Sequence, residues 1–359
     1  MLKIFIFAVL CSQALQAIAA SSLQLNIRAD VYSEPVSIQA FTDGWQHPLS
    51  AGSERAFAQG EISLGAESPQ YRYGLLWRYD YMLAFSPDMA RLYHQYATQS
   101  TVEPDQEFDL HLDANHLEAC GVYVSKGWQL STDWKLWTGV SVLKGQHIVE
   151  GQFAGFAASK AAIRNIDRIR LIQAGIGYVY DQPQLYEDEL GWNPSAPQGE
   201  GIGLNFALEG TIAEQWHFKA DVRDAWGSMY WRNMPRTAYT LQFDDQKNPP
   251  HDLRGQLGVD RRYRQRLPWR ADAQLIYQPL GQQWHADLQV YANRTGELWQ
   301  AGLYRDLGSQ LIGVHIEPES HSLGVSLKNR NFSLFYLTDH LNTNQAHRAR
   351  LNMQATHSW

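Results

Sequence analysis

Tyr71-Arg72-Tyr73-Gly74-Leu75-Leu76-Trp77-Arg78-Tyr79-Asp80-Tyr81-Met82-Leu83-Ala84-Phe85 alternates with a period of two. Its odd positions are aromatic or apolar throughout, and its even positions include Arg72, Gly74, Arg78 and Asp80. A β-strand sends successive side chains to opposite faces, so the stretch reads as one strand between two unlike environments. The pattern recurs along the chain. From 128 to 142, Trp128, Leu130, Trp134, Leu136, Val140 and Val142 alternate with Gln129, Ser131, Asp133, Lys135 and Ser141. Trp216, Phe218, Ala220 and Val222 oppose His217, Lys219, Asp221 and Arg223, and Leu253, Gly255, Leu257 and Val259 oppose Arg254, Gln256, Asp260 and Arg262.

The last hundred residues read as a meander of strands at 268–278, 283–293, 297–306, 309–317, 320–328, 331–339 and 346–358. They are joined by short turns such as Leu280-Gly281-Gln282 and Lys328-Asn329-Arg330-Asn331. Strands of about ten residues suit a tilted bilayer crossing. One face stays apolar in nearly every strand, which favours lipid outside. The final strand ends on the last residue. Counting back by twos gives Trp359, His357, Ala355, Met353, Leu351 and Ala349. Here the chain resembles the Gram-negative outer-membrane β-barrel proteins, porin-like at the level of the superfamily. The resemblance implies outer-membrane residence, contact with outer-membrane lipid and lipopolysaccharide, and recognition by the barrel-assembly machinery through Trp359, Ala355, Met353 and Leu351. The expected fold is all-β, an antiparallel up-and-down transmembrane β-barrel of about 16 strands, within the range 12–18.

The chain start supplies an export address. Lys3, the apolar run Ile4 to Leu10 and the small-residue close Ala17-Ile18-Ala19-Ala20 read as a signal peptide over residues 1–20, cleaved near Ala19/Ala20. Residues 21–359 then form a single barrel domain. Only Cys120 survives cleavage, so no internal disulfide is expected. A formal charge of −7 does not suggest a nucleic-acid partner, and 13 Trp with 18 Tyr suit the aromatic belts of a barrel.

Two regions interrupt the alternation. Ser86-Pro87-Asp88 before Met89 to Tyr96 has a cap, a first-turn proline and helical spacing, which predicts a short helix inside a loop. Residues 181–200 carry Pro183, Pro194, Pro197, Gly191 and the acidic run Glu187-Asp188-Glu189, and read as a long external loop. Between 105 and 125, Asp113-Ala114-Asn115 fits either a turn or a bulge. Residues 42–57 and 86–105 are candidates to plug or cap the barrel.

With lipid on the apolar side, the other face lines a lumen. Its candidate lining is Arg72, Arg78, Asp80, Lys135, Lys219, Asp221, Arg223, Arg254, Asp260, Arg262, Arg264, Arg270, Asp272 and Asp287. Mixed charges support two readings: a wet channel whose field selects solutes, or an ion-paired interior that braces the wall. The run Arg254 to Arg270 carries three: an anion or acidic-saccharide path, a contact for lipopolysaccharide phosphates near the rim, or pairing with Asp252, Asp260 and Asp272. The leading functional expectation is a porin-like channel for small polar or anionic solutes. A non-enzymatic partner of an exopolysaccharide or other envelope export system is the second, and an outer-membrane lipid-modifying hydrolase the third. No catalytic constellation emerges. His321 and Ser322 are adjacent and so point to opposite faces. The histidines lack paired metal spacing, and no cofactor is expected. Gly199-Glu200-Gly201-Ile202-Gly203 has no following helix, so its glycines are read as letting a strand begin and bend.

Overall fold

The computed structural model describes residues 22–41, 43–50, 54–100, 102, 105–159, 169–185 and 187–359. The signal-peptide expectation for residues 1–20 lies outside these residues. The strands are β1 (Ser22–Ser33), β2 (Arg55–Glu67), β3 (Tyr71–Phe85), β4 (Glu107–Gln129), β5 (Trp134–Ser159), β6 (Ile169–Tyr180), β7 (Gln198–Ala213) and β8 (Trp216–Asp244). They continue as β9 (His251–Arg266), β10 (Arg270–Tyr277), β11 (Trp284–Asn293), β12 (Gly296–Asp306), β13 (Leu311–Glu317), β14 (Ser322–Lys328), β15 (Phe332–Thr338) and β16 (Arg348–Ser358). All pairings are antiparallel. The first and last strands close the sheet on itself, with Ser22 opposite Ser358 and Tyr32 opposite Arg348.

The closed circuit has fourteen strands, with two more outside it. β5 and β8 are the two longest strands described, and each carries two partners end to end along one edge. β7 pairs with the first half of β5, from Trp134 to Gly145, and β6 with the second half, from Val149 to Ser159. On the far edge of β8, β10 takes residues 216 to 223, and β9 takes residues 228 to 243. β6 and β9 therefore extend one side of the wall beyond the fourteen-strand ring. This departs from a plain up-and-down order, because the long strands outrun the short ones beside them.

The C-terminal meander falls within about two residues of its expected positions, as such boundaries do. Two expectations are corrected. The run 128–142 is not one strand, because Leu130 to Asp133 form a tight connection between β4 and β5, with the Leu130 N–H donating to the Trp134 carbonyl. Asp113-Ala114-Asn115 is neither turn nor bulge but continuous strand within β4; the irregularity lies further on, between Glu118 and Ala119. The helix forms as expected. α1 (Pro87–Ala97) is capped by Ser86, whose hydroxyl accepts the Met89 N–H at 3.2 Å.

Alternation sets the two faces. Leu75, Val122, Val142, Val314 and Leu323 are half or more exposed on the outer face, reaching 68% for Leu323. An apolar surface of this extent has no stable place in water, and it forms the band expected where hydrocarbon surrounds a barrel. α1 and the segment after β1 pack on that same outer face near the upper strand ends. Val36, Ala40 and Trp45 meet Leu83, Phe85 and Ala90 there, with Met89, Ala97, Leu112 and Ala114 alongside. Among their described residues, these two segments pack on the outer face and do not fill the lumen as a plug.

Candidate functional site

A barrel of about eight strands is filled by its own side chains, whereas about sixteen leave a water channel. A fourteen-strand lumen closes only if long side chains reach inward from opposite walls, and here they do. β2 and β11 lie directly across the ring, yet the Tyr291 hydroxyl donates to Gln59 Oε1, and Asn293 Nδ2 donates to the same oxygen at 3.2 Å. Gln59 Nε2 donates to Asp80 at 2.8 Å, and Arg78 holds Asp80 through Nε at 2.7 Å. Arg78 also pairs with Asp224 of β8, so one hydrogen-bonded chain runs from β11 through β2 and β3 to β8. Arg223 and Arg270 both pair with Glu61 of β2, Arg350 pairs with Asp272 at 2.6 Å, and Arg348 sits fully buried between Asp30 and Glu317.

Apolar side chains complete the closure. Trp231, Met229 and Met234 of β8 pack with Leu117 and Ala119 of β4, Leu143 and Ile148 of β5, Val179 of β6 and Leu267. Across the lumen, Tyr32, Phe57, Met82, Tyr291 and Leu298 form a second buried group. Together they make a septum. On one side lies a cavity of 310 Å³ lined by Arg28, Glu61, Arg72, Leu76, Arg78, Arg223 and Asp224 among others. On the other lies a cavity of 770 Å³ whose lining includes Glu150, Val179, Arg236, Asp260, Tyr263 and Arg294. Leu76 on one wall, and Val179 and Tyr263 on the other, belong both to the septum and to the cavities it divides.

Of the residues proposed from sequence, Arg72, Arg78, Asp221, Arg223 and Arg270 line the first cavity. Asp272 lines a smaller neighbouring space with Arg350. Lys135 and Lys219 line a 500 Å³ opening at the short-turn end. Asp80 is buried in the septum network, and Asp287 is buried against Gln274 and Tyr304, whose hydroxyl donates to it at 2.9 Å. Asp260 borders the larger cavity. Arg254, Arg262 and Arg264 line none of these spaces. Arg254 is exposed on β9 and pairs with Asp252 at 2.8 Å. Arg262 and Arg264 flank Tyr263, which turns inward to Glu150 (2.8 Å), so both project from the outer face. Pairing of the cluster with Asp260 and Asp272 is not seen: Arg270 goes to Glu61, and Asp272 to Arg350.

Several interior groups escaped the sequence reading. Arg28, Asp30 and Glu61 sit on β1 and β2, where Leu23, Leu25, Ile27, Ala29 and Val31 alternate with polar residues and would have exposed the pattern. Asp224 shares the parity of the apolar positions and would be read as outward. A left-handed backbone (φ +50°) swings it inside instead. Gly203 makes the room, because a Cβ there would collide with Asp224 and approach Ser141 Oγ to 2.8 Å. Gly199 and Gly201 serve Trp231 and Met229 in the same way. The alternating glycines are thus a small-residue face that receives large side chains from β8. Gly203→Ala is expected to push Asp224 off Arg78 and cost about 1–3 kcal/mol, read as a lower midpoint of urea unfolding in lipid vesicles.

The connection between β6 and β7 sits beside the middle of β5, where the pairings of the two strands end at Val149 and Gly145. Glu187 anchors it, accepting from the Tyr178 hydroxyl and from the Leu185 N–H at 2.8 Å. Burial favours the neutral acid, but these donors outweigh it and hold the Glu187 carboxyl below its ordinary range. His321 occupies a turn with φ +54°, and the Ser322 hydroxyl is taken up by Ser320. Among the described residues no group of three or more His, Cys, Asp or Glu could hold a metal.

A closed antiparallel barrel with an apolar outer band and a polar interior defines the outer-membrane β-barrel class, and this chain has that architecture. No protein-family model matches the sequence, and no curated protein matches it. Among solved structures it is similar to the monoaromatic hydrocarbon channel CymD at 9% identity and a TM-score of 0.44, over 96% of this chain and 90% of that one. It is similar to the P. putida toluene transporter TodX at 9% identity and 0.42, over 95% and 89%. A Pseudomonas aeruginosa FadL homologue matches at 10% identity and 0.31, over 95% and 90%. At scores this low none of these likenesses bears on what this chain carries.

Proposed function

We propose that the protein resides in the outer membrane of a Gram-negative cell and passes small polar solutes, with a bias towards anions, through a lumen closed at rest. The short turns and both strand termini mark the periplasmic end, and the longer loops face outwards. Trp359, 69% exposed beside the end of β16 with Leu351, Met353 and Ala355 preceding it on the outer face, fits an assembly signal. The observation that carries the transport reading is Arg28. Its guanidinium faces the 310 Å³ cavity, its acid partner Asp221 stands 4.0 Å away, and both side chains are more than a third exposed. Five arginines and four carboxylates line that cavity. Most are locked in pairs, which leaves Arg28 the group most available to a passing anion. The septum consists of side chains, so opening it requires rotamer and ion-pair changes and no removal of a strand.

The same bracing favours a second reading, a non-conducting barrel that accompanies an envelope export system. Planar-bilayer recording separates the two. The transport reading expects brief stepwise openings and a reversal potential biased towards chloride in a KCl gradient. Arg28→Glu is expected to lower the chloride-to-potassium permeability ratio roughly threefold or more. Silence from a folded, inserted barrel across the full voltage range would sink the channel and leave the export partner.

A further inference from the structure

The arginines of β9 that do not line the lumen form a site of their own. Arg262, Arg264 and Arg266 are exposed and alternate with the inward Tyr263 and Gln265, so all three stand on the outer face. Cross-strand pairing sets Arg262 opposite Arg232, Arg264 opposite Tyr230 and Arg266 opposite Ser228. Arg232 is 62% exposed, and the nearest acid, Glu200, lies 3.4 Å from it at 78% exposure. Arg264 donates through Nε to Ser228 Oγ at 2.9 Å and lies over the Tyr230 ring. Among the described residues no carboxylate is within ion-pair distance of Arg262, Arg264 or Arg266. Four guanidinium groups thus share a two-strand patch with one partly engaged acid.

The height of the patch identifies its occupant. Along the outer face of β8, Trp216 stands at the short-turn end, with Phe218, Ala220 and Val222 above it and Trp226 ten residues on. A tilted strand of about 9–11 residues crosses the hydrocarbon, and tryptophans settle at its two boundaries. Trp226, Tyr230 and Trp269, all 41% exposed or more, therefore mark the outer boundary. Arg266 and Arg264, opposite Ser228 and Tyr230, stand within this belt, and Arg262 stands one pair above it, at the level where the headgroups of the outer leaflet lie. We infer that this patch binds the phosphate groups of the outer leaflet's phosphorylated glycolipid, with guanidinium forks on the phosphates and Trp226 and Trp269 against the upper acyl chains. The inference rests on the membrane reading above, and a phosphate bound there would offset the mutual repulsion of the arginines.

The test uses the full-length barrel in neutral detergent, titrated with bisphosphorylated lipid A, with its dephosphorylated form and with phosphatidylglycerol. The bisphosphorylated glycolipid is expected to bind at least about tenfold more tightly than either of the others. The triple variant Arg262→Ala/Arg264→Ala/Arg266→Ala is expected to lose that preference, and Arg254→Ala, on the same strand but paired with Asp252, to keep it. The wild-type comparison decides the matter even if the triple variant fails to fold. Equal binding of the two glycolipids, or a stronger preference for phosphatidylglycerol, overturns the inference while a heat-modifiable barrel in the outer-membrane fraction upholds the membrane reading. Absence of the protein from that fraction overturns both.

Discussion

Arg78→Met is expected to destabilise the barrel by about 3–5 kcal/mol, since removing one partner of a buried ion pair strands the remaining charge. The loss is unusually exposed to test because Arg78 serves two carboxylates at once. Its side chain is 4% exposed, Asp80 is fully buried, and Asp224 nearly so. Asp80 would keep only the amide of Gln59, and Asp224 would keep no cation. Asp80, which lines neither cavity, cannot turn to water without breaking the septum. The triple variant Arg78→Met/Asp80→Asn/Asp224→Asn removes all three charges together and is expected to recover more than half of the lost stability. Urea unfolding of the vesicle-inserted barrel, followed by loss of its heat-modified gel mobility, reads both. A single variant within about 1 kcal/mol of wild type would mean that the chain from β11 to β8 is not a brace.

The wall of this barrel was open to reading because lipid outside and polar groups inside impose a period of two on every crossing strand. That constraint gave the C-terminal meander its strand positions and put Arg72, Arg78 and Arg223 on the inner face. Where parity is interrupted, the reading failed for identifiable reasons. Asp224 turns inside through a left-handed residue that alternation does not anticipate. Arg262 and Arg264 were assigned to the lumen by extending the parity of Leu257 and Val259, but β9 lies beside β8 above the ring and carries its Tyr263 and Gln265 inward. The septum was invisible for a different reason. Whether Gln59 meets Tyr291 depends on the cross-section of the whole ring, and no local pattern encodes that. The nearest signal was Gly199, Gly201 and Gly203, three lumen-facing positions without side chains, which announced that something large stood opposite.

What stands opposite Gly199 is Trp231, and Trp231→Ala carries the second large expected effect. The indole is 1% exposed, and it lies so close over Gly145 and Gly199 that a Cβ at Gly199 would come within 2.6 Å of the ring. Its Nε1 donates to Gln265 at 3.2 Å. Truncation removes the ring from the centre of the apolar septum and leaves Gln265 without that donor. The two adjoining glycines have no side chains with which to fill the space. Collapse is therefore limited, and the cost is expected at the upper end of the range for buried aromatic truncation, about 3–5 kcal/mol. The permeability consequence separates Trp231 from Arg78. The void opens in the cluster that contains both Leu76, on the 310 Å³ cavity, and Val179 and Tyr263, on the 770 Å³ cavity, so it thins the barrier between the two. Liposome swelling with small neutral sugars is expected to quicken in Trp231→Ala at temperatures where the variant is fully folded. Gln265 borders the void but by itself offers water few partners, so Trp231→Ser, which adds a hydroxyl partner, is expected to leak more than Trp231→Ala at similar stability. Swelling at the wild-type rate in both variants would place the seal instead in the half of the septum built from Tyr32, Phe57, Tyr291 and Leu298, where Gln59 already ties opposite walls together.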